Sequence, residues 1–217
     1  MQASNNNSNK PDVRAYIGAT GSGKGVSVRE ALKKLKARRL LVWDPLGEYG
    51  AFAPVTENLA TVANMAKASG FRVAYWPGPD ATTYPEKFAL FCRIAFAAGD
   101  LVMLVEELGD VTSASYAPQP WKRCTTQGRH RGLKIIAATQ RPAKVDKDFL
   151  GGCTYIRCFT LRYPVDRQAM AQVLDVQTAQ INALETIETD VLTTINYVER
   201  DFRGGKTTFG VIKLRRK

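Results

Sequence analysis

Residues 18–24 read GATGSGK, with a short strand expected at 13–17 before them and, after them, Val28, Ala31, Leu32 and Leu35 recurring at helical spacing. Glycines at 18, 21 and 23 interrupt any regular strand or helix and leave a turn whose backbone N–H groups are free to face inward. A strand entering this turn and a helix leaving it, predicted over 23–37, set those groups at the positive end of a helix dipole, where phosphate binds. The spacing fits G-x-x-x-x-G-K. Gly18, Ala19, Thr20, Gly21, Ser22, Gly23, Lys24, Gly25 and Val26 are therefore the expected nucleotide-contacting stretch, with Lys24 reaching the terminal phosphates of ATP. The alternative is a Gly/Ser turn that happens to hold a lysine, and the flanking strand and helix argue against it.

Beyond this loop the chain alternates. LLVWD at 40–44, stopped by Pro45 and Gly47, LVMLV at 101–105 and KIIAAT at 134–139 are continuous apolar runs, the pattern of strands buried on both faces of a parallel sheet. Another strand is expected at 72–76, halted by PGP. Helices are predicted at 84–98, with Phe88, Phe91, Cys92 and Ala95 on one face, and through 121–128. Past Gly152 the pattern gives a strand at 155–161, helices at 166–175 and 179–184, and a C-terminal β-hairpin built from 191–199 and 207–214 around FRGGK. Such alternation predicts an α/β layer fold. Residues 1–12, rich in Asn and Ser, are expected to form a disordered tail, and 13–217 a single domain.

One position departs from the phosphate-loop pattern. The residue after the lysine is ordinarily Ser or Thr, whose hydroxyl binds Mg2+, and here it is Gly25. Ser27 lies more than half a helical turn away and does not replace it. Carboxylates are available where LVMLVEE ends a buried strand, because a Walker B element places one acid on Mg2+ and one on the attacking water. Glu106 is assigned to the metal and Glu107 to the general base. Two glutamates marking a solvent-facing strand end are the alternative. Gln140, just after KIIAAT, would sit beside the γ-phosphate if that strand neighbours the loop strand, and there a Gln orients water; taken alone it is a turn residue.

Lys and Arg number 31 against 20 acids, a formal charge of +11, which favours polyanionic partners such as nucleic acid or an anionic membrane surface. The most apolar stretch, 89–105, is broken by Arg93, Gly99 and Asp100, so no transmembrane helix is predicted. The N-terminus has no apolar core of a signal peptide, and a cytosolic address is expected. Cys92, Cys124, Cys153 and Cys158 show no C-x-x-C spacing; Cys153 and Cys158, read on one strand, would point to opposite faces, so all are taken as reduced structural thiols. His130 is the only histidine, which leaves no His-based metal site or triad and favours a loop-packed or DNA-near role.

Taken together, these residues resemble the FtsK/HerA superfamily of ring-forming, DNA-pumping ATPases. GATGSGK, DPLGEY at 44–49, LVMLVEE, GRHRGL at 128–133 and ATQRP at 138–142 occur in family order. The resemblance covers about residues 13–175, and ATQRP after GRHRGL discriminates it from a generic P-loop kinase. With its small size the chain looks most like the genome-packaging ATPases of tailless, membrane-containing viruses. The resemblance implies a RecA-like P-loop NTPase sheet with flanking helices, a homo-hexameric ring with ATP at subunit interfaces, and an arginine finger from the neighbour, which motif position gives to Arg129. Arg129 lies among Arg123, Arg131 and Lys134, so a solvated or DNA-facing basic patch is the alternative. Where the family usually has Asp-Glu this chain has Glu106 and Glu107; this change and Gly25 both fall on the Mg2+ shell, and the longer Glu106 is expected to compensate in part for the missing hydroxyl.

The function expected from the sequence is an ATP-hydrolysing motor that translocates double-stranded DNA, packaging a viral genome into a preformed capsid. Capsid or packaging-vertex proteins are the expected partners, membrane contact comes only through them, and the protein works in the host cytoplasm or with the virion. Lys144 and Lys147, in a loop after ATQRP, and Arg203, Lys206, Arg215, Arg216 and Lys217 in the hairpin are the candidate DNA contacts. Rival readings are a filamentous-phage assembly ATPase, which usually carries a membrane segment, and a non-hydrolysing, nucleotide-gated DNA-binding module in which Gly25 and Glu106 mark a decayed metal site. A small P-loop kinase is a third, against which ATQRP and the basic charge argue.

Overall fold

Runs of four or five consecutive buried apolar residues are satisfied only in a sheet covered on both faces, and such a sheet organises the computed structural model, which describes residues 10–215. In chain order the elements are β1 (Asp12–Ile17), α1 (Lys24–Leu35), β2 (Arg39–Trp43), β3 (Val55–Thr56), α2 (Leu59–Met65), β4 (Phe71–Tyr75), α3 (Tyr84–Ala98), β5 (Val102–Val105), α4 (Gln119–Gln127), β6 (Lys134–Thr139), α5 (Lys147–Gly152), β7 (Tyr155–Cys158), α6 (Pro164–Leu174), α7 (Thr178–Asn182), β8 (Thr186–Glu188), β9 (Leu192–Asp201) and β10 (Lys206–Arg215). One sheet of ten strands runs in the order β10-β9-β7-β1-β6-β5-β2-β4-β3, with β8 paired to β9. The strands from β7 to β3 are parallel, and the C-terminal hairpin β9–β10 joins β7 antiparallel. This is the α/β architecture with a C-terminal hairpin that the alternation of elements predicts.

The pleat sends alternate residues into two separate cores. Val13, Ala15, Ile17, Leu41, Trp43, Met103 and Val105 face one side, where α3, α4, α5 and α6 deliver Phe88, Phe91, Trp121, Phe149 and Met170. Tyr16, Leu40, Val42, Leu104 and Ile136 face the other, which is covered mainly by Val28, Ala31 and Leu32 of α1. The thick core is aromatic: the Trp43 ring sits 5.1 Å from Phe88 and 5.5 Å from Phe91, edge-on to both.

Local signals explain the element ends. α3 matches its expected bounds because Pro85 opens the first turn and Gly99, at φ +59°, closes the last. β6 likewise spans the expected residues. The strand expected at 155–161 stops at Cys158, since the chain there leaves the sheet to follow the glycine loop: Phe159 N–H donates to Ile17 O (2.8 Å) and Thr160 O accepts from Ala19 N–H (2.9 Å). β3, α2, α5 and β8 are additional to the elements that the sequence predicts. α5 corrects two expectations. Lys147 opens a helix capped by Asp146 instead of lying in a loop, and Cys153 ends that helix instead of lying on the strand with Cys158. All four cysteines are free and buried. The expected tail is mostly outside the described residues, as are Arg216 and Lys217, while Asp12 already belongs to β1. Among the described residues no helix is long and apolar enough to cross a membrane.

Trp43 is fully buried, yet its indole N–H has no partner among the described residues. Trp43→Phe keeps the ring contacts and removes only that orphaned donor and some volume, so its expected loss is below about 1.5 kcal/mol. Trp43→Ala empties the junction and is expected to lose about 4 kcal/mol. Urea denaturation of the two variants checks the contrast, and equal losses would contradict this packing.

Candidate nucleotide site

The C-terminal ends of β1, β6 and β5 lie side by side, because β1 pairs with β6 (Ile17 opposite Thr139) and β6 with β5 (Ala137 opposite Val105). From β1 the chain enters the glycine loop. Gly18 N–H donates to Thr139 O at 3.1 Å, and Ser22 Oγ folds back onto Ala19 O at 2.7 Å. Gly21 and Gly23 adopt φ of +79° and +95°, which L side chains rarely tolerate. Gly18 and Gly23 are also squeezed: a Cβ would lie 2.8 Å from Phe159 Cβ at Gly18 and 2.8 Å from Ile195 Cδ1 at Gly23. Among the described residues the N–H groups of Thr20, Gly21 and Gly23 donate to nothing, and the first turn of α1 carries no acidic residue. The result is a concave set of free donors at an unopposed helix dipole, which fits a phosphate chain.

The fold brings Lys24, Glu107, Gln140 and Thr20 together. Lys24 Nζ donates to Glu107 Oε2 at 3.3 Å. Gln140 donates twice to the same carboxylate, from its backbone N–H to Oε1 (3.0 Å) and from Nε2 to Oε2 (2.9 Å), while Gln140 Oε1 accepts from Thr20 Oγ1 at 2.8 Å. Glu107 reaches this position with φ +47°, a conformation that costs about 1–2 kcal/mol and persists only where the surroundings impose it.

Glu106 turns the other way. It is 7% exposed and accepts a hydrogen bond from Tyr49 Oη. Burial raises its carboxyl above the usual range, against the opposing pull of Lys24 and the Tyr49 bond. Tyr49 is itself fully buried, its hydroxyl pushed far up by burial and by Glu106. Asp44, also fully buried, fixes that tyrosine by accepting from the backbone N–H of Glu48 and of Tyr49, each at 2.9 Å. Asp44 and Tyr49 are thus positioning residues for Glu106. The segment DPLGEY was visible in the sequence, but its contact with Glu106, 57 residues away, was not.

The remaining motifs divide between support and surface. Arg141 of ATQRP donates to the buried Asp166 (2.7 Å) and stacks on Tyr163 (3.8 Å), and Asp166 also accepts from Ala143 N–H at 2.9 Å. That anchors the turn following Gln140. In GRHRGL, Arg131 is tied to the end of α3 through Phe96 O and Ala97 O (3.1 and 2.8 Å), and Arg123 covers the Phe96 ring at 4.2 Å. Arg129 is exposed, and among the described residues its side chain hydrogen-bonds only to His130, at 3.3 Å. Lys144 lies in a 3-10 turn at Pro142–Lys144, Arg203 is tied to Pro11 O, and Lys206 and Arg215 are exposed on the hairpin. Among the described residues no cluster of three or more His, Cys, Asp or Glu forms a metal cage. Gly25 supplies no hydroxyl to the magnesium shell usual for such loops, and the Tyr49 bond takes one of the two Glu106 carboxylate oxygens.

No protein-family model matches the chain. Protein P9 of Pseudoalteromonas phage PM2 is 33% identical over 178 residues, covering 79% of this chain and 78% of that protein. Among solved structures, the genome packaging NTPase B204 from Sulfolobus turreted icosahedral virus 2, in complex with AMPPCP, superposes with a TM-score of 0.72 at 15% identity, over 92% of this chain and 96% of that one. The pCW3 conjugation coupling protein TcpA, with ATPγS, matches with a TM-score of 0.57 at 14% identity, over 93% of this chain and 60% of that one. At these identities the two structures speak to the fold alone, a RecA-like P-loop sheet with flanking helices.

The Asp166 carboxylate is the buried partner of a half-shielded guanidinium and of a backbone donor. Asp166→Ala is expected to cost about 3 kcal/mol in urea denaturation, because it leaves both donors without an acceptor. A loss under about 1 kcal/mol would mean that stacking on Tyr163 holds the turn by itself.

Proposed function

The chain belongs to the FtsK/HerA superfamily of P-loop ATPases, beside viral genome-packaging members, and from that premise we propose that it hydrolyses ATP to translocate double-stranded DNA into a preformed viral shell. The observation that carries this reading is the cluster of Lys24, Glu107, Gln140 and Thr20 at the ends of adjacent parallel strands. Residues 18–26 cradle the phosphates. Lys24 exchanges Glu107 for phosphate oxygen, which releases the Glu107 carboxylate to take a proton from the attacking water. Gln140 touches both the loop and the base, so it orients that water and links its position to Thr20. Glu106, through the carboxylate oxygen that Tyr49 leaves free, would be the acid to meet Mg2+ accompanying the nucleotide.

Arg129 acts from the neighbouring subunit of a homo-hexameric ring. Its exposure and its lack of a backbone anchor, in contrast to Arg131, suit a side chain that must reach across an interface. The surplus of 11 positive charges suits sequence-independent contact with DNA phosphates, which a motor passing any sequence requires. Capsid or packaging-vertex proteins are the partners of such a motor, with any membrane contact through them, in the host cytoplasm and at the virion.

Glu107→Gln is expected to lower DNA-stimulated ATP turnover by at least about 100-fold while nucleotide affinity stays within a few-fold of the parent. Arg129→Ala is expected to lower turnover by about 10³. Mixing these two inactive proteins rebuilds some interfaces with an intact Glu107 and an intact Arg129, so turnover partly returns. A parent protein that binds ATP without hydrolysing it in the presence of DNA would replace the motor with a nucleotide-gated clamp, and a mixture that stays inactive would remove Arg129 from the neighbour's site.

A further inference from the structure

The place left by the missing hydroxyl is taken by a guanidinium. A Cβ built on Gly25 would lie 3.4 Å from both Nη atoms of Arg29. Arg29 stands four residues along α1, so its side chain leans back over the preceding turn, the direction helical side chains take. It covers the space that Ser or Thr would fill at this position. A Cβ at position 25 would already be in van der Waals contact with the guanidinium.

Arg29 differs from the other arginines of this region in having no partner. Arg157 is paired with Glu199 at 2.6 Å and donates to Ser27, and Arg141 is paired with Asp166 at 2.7 Å. Half-buried Arg29 makes no hydrogen bond and no ion pair among the described residues, so its five donors are unused by the protein. Glu106 makes no ion pair with it either and accepts instead from Tyr49. The charge of Arg29 is nonetheless felt inside the site, where it acts on the Tyr49 hydroxyl.

A guanidinium lying against Gly25, in the first turn of α1, both attracts phosphate oxygens and repels a divalent ion from the same spot. We propose that Arg29 is a second phosphate-binding cation of this loop, holding the β- and γ-phosphate oxygens of a nucleoside triphosphate in place of hydroxyl-bound magnesium. Triphosphate binding then depends little on divalent metal. The inference rests on the reading of the loop as an ATP site and adds how that site neutralises the phosphate charge.

The test is calorimetric titration of the full chain with ATPγS, in excess Mg2+ and in excess EDTA. The unmutated protein is expected to bind within about threefold equally in the two buffers, and Arg29→Ala to lose about 30-fold in EDTA, the effect of one charge-assisted phosphate contact. Arg29→Lys, which keeps a cation without the fork, is expected between them. The double change Gly25→Ser with Arg29→Ala is expected to bind well only with Mg2+. Thermal unfolding without nucleotide should be the same for Arg29→Ala and its parent, since no hydrogen bond is lost. Arg29→Ala binding like its parent in EDTA overturns the proposal, as does a parent that loses tenfold or more when Mg2+ is removed. A parent that binds ATPγS in neither buffer overturns the ATP reading itself.

Discussion

Parallel pairing of β1, β6 and β5 sets the geometry on which everything at the site depends. With Ile17 opposite Thr139 and Val105 opposite Ala137, three strands end almost level, and the next residues of each arrive at one place. Gly18 closes the arrangement by bonding to Thr139 O, so the loop begins where β6 stops. A slip of one residue between β1 and β6 would turn every side chain of a strand to the opposite core. Trp43, Val105 and Ile17, buried among the aromatic residues of α3 and α4, resist that slip. Precision at the phosphate loop is thus inherited from packing behind it.

Glu107 concentrates this constraint. Its backbone is held at φ +47° and its carboxylate is shared between Lys24 and Gln140, so Glu107, Lys24 and the end of the neighbouring strand form one bonded unit. Glu106, the adjacent residue, belongs to another unit with Tyr49 and Asp44. Two neighbouring carboxylates therefore meet different chemistry because a strand end presents them to opposite sides.

Much of this was legible in the chain itself. The continuous apolar runs located the buried strands, and the placement of Gly18, Gly21, Gly23, Lys24, Glu107 and Gln140 at one site followed from motif and strand order. The parts that were not legible are long-range: Tyr49 on Glu106, Asp166 under Arg141, Ile195 against Gly23 and Phe159 against Gly18. Periodicity reports which face of an element is buried, not which residue lies opposite it across the fold. The missed elements fail for a different reason. α2 and α5 run for seven and six residues, too few for a helical period to repeat, and their asparagine and aspartate caps carried the information instead.

In the C-terminal hairpin β9 and β10 pair over their full ten residues, and β10 ends the sheet with Phe209 and Val211 exposed on its outer strand. Inward, the same hairpin meets the phosphate loop through the Ile195 side chain against Gly23, and it grips α1 through Glu199, Arg157 and Ser27. Val211 on the exposed edge pairs with Asn196, next to Ile195, so only the width of the two-stranded ribbon separates the outer edge of the sheet from the glycine loop.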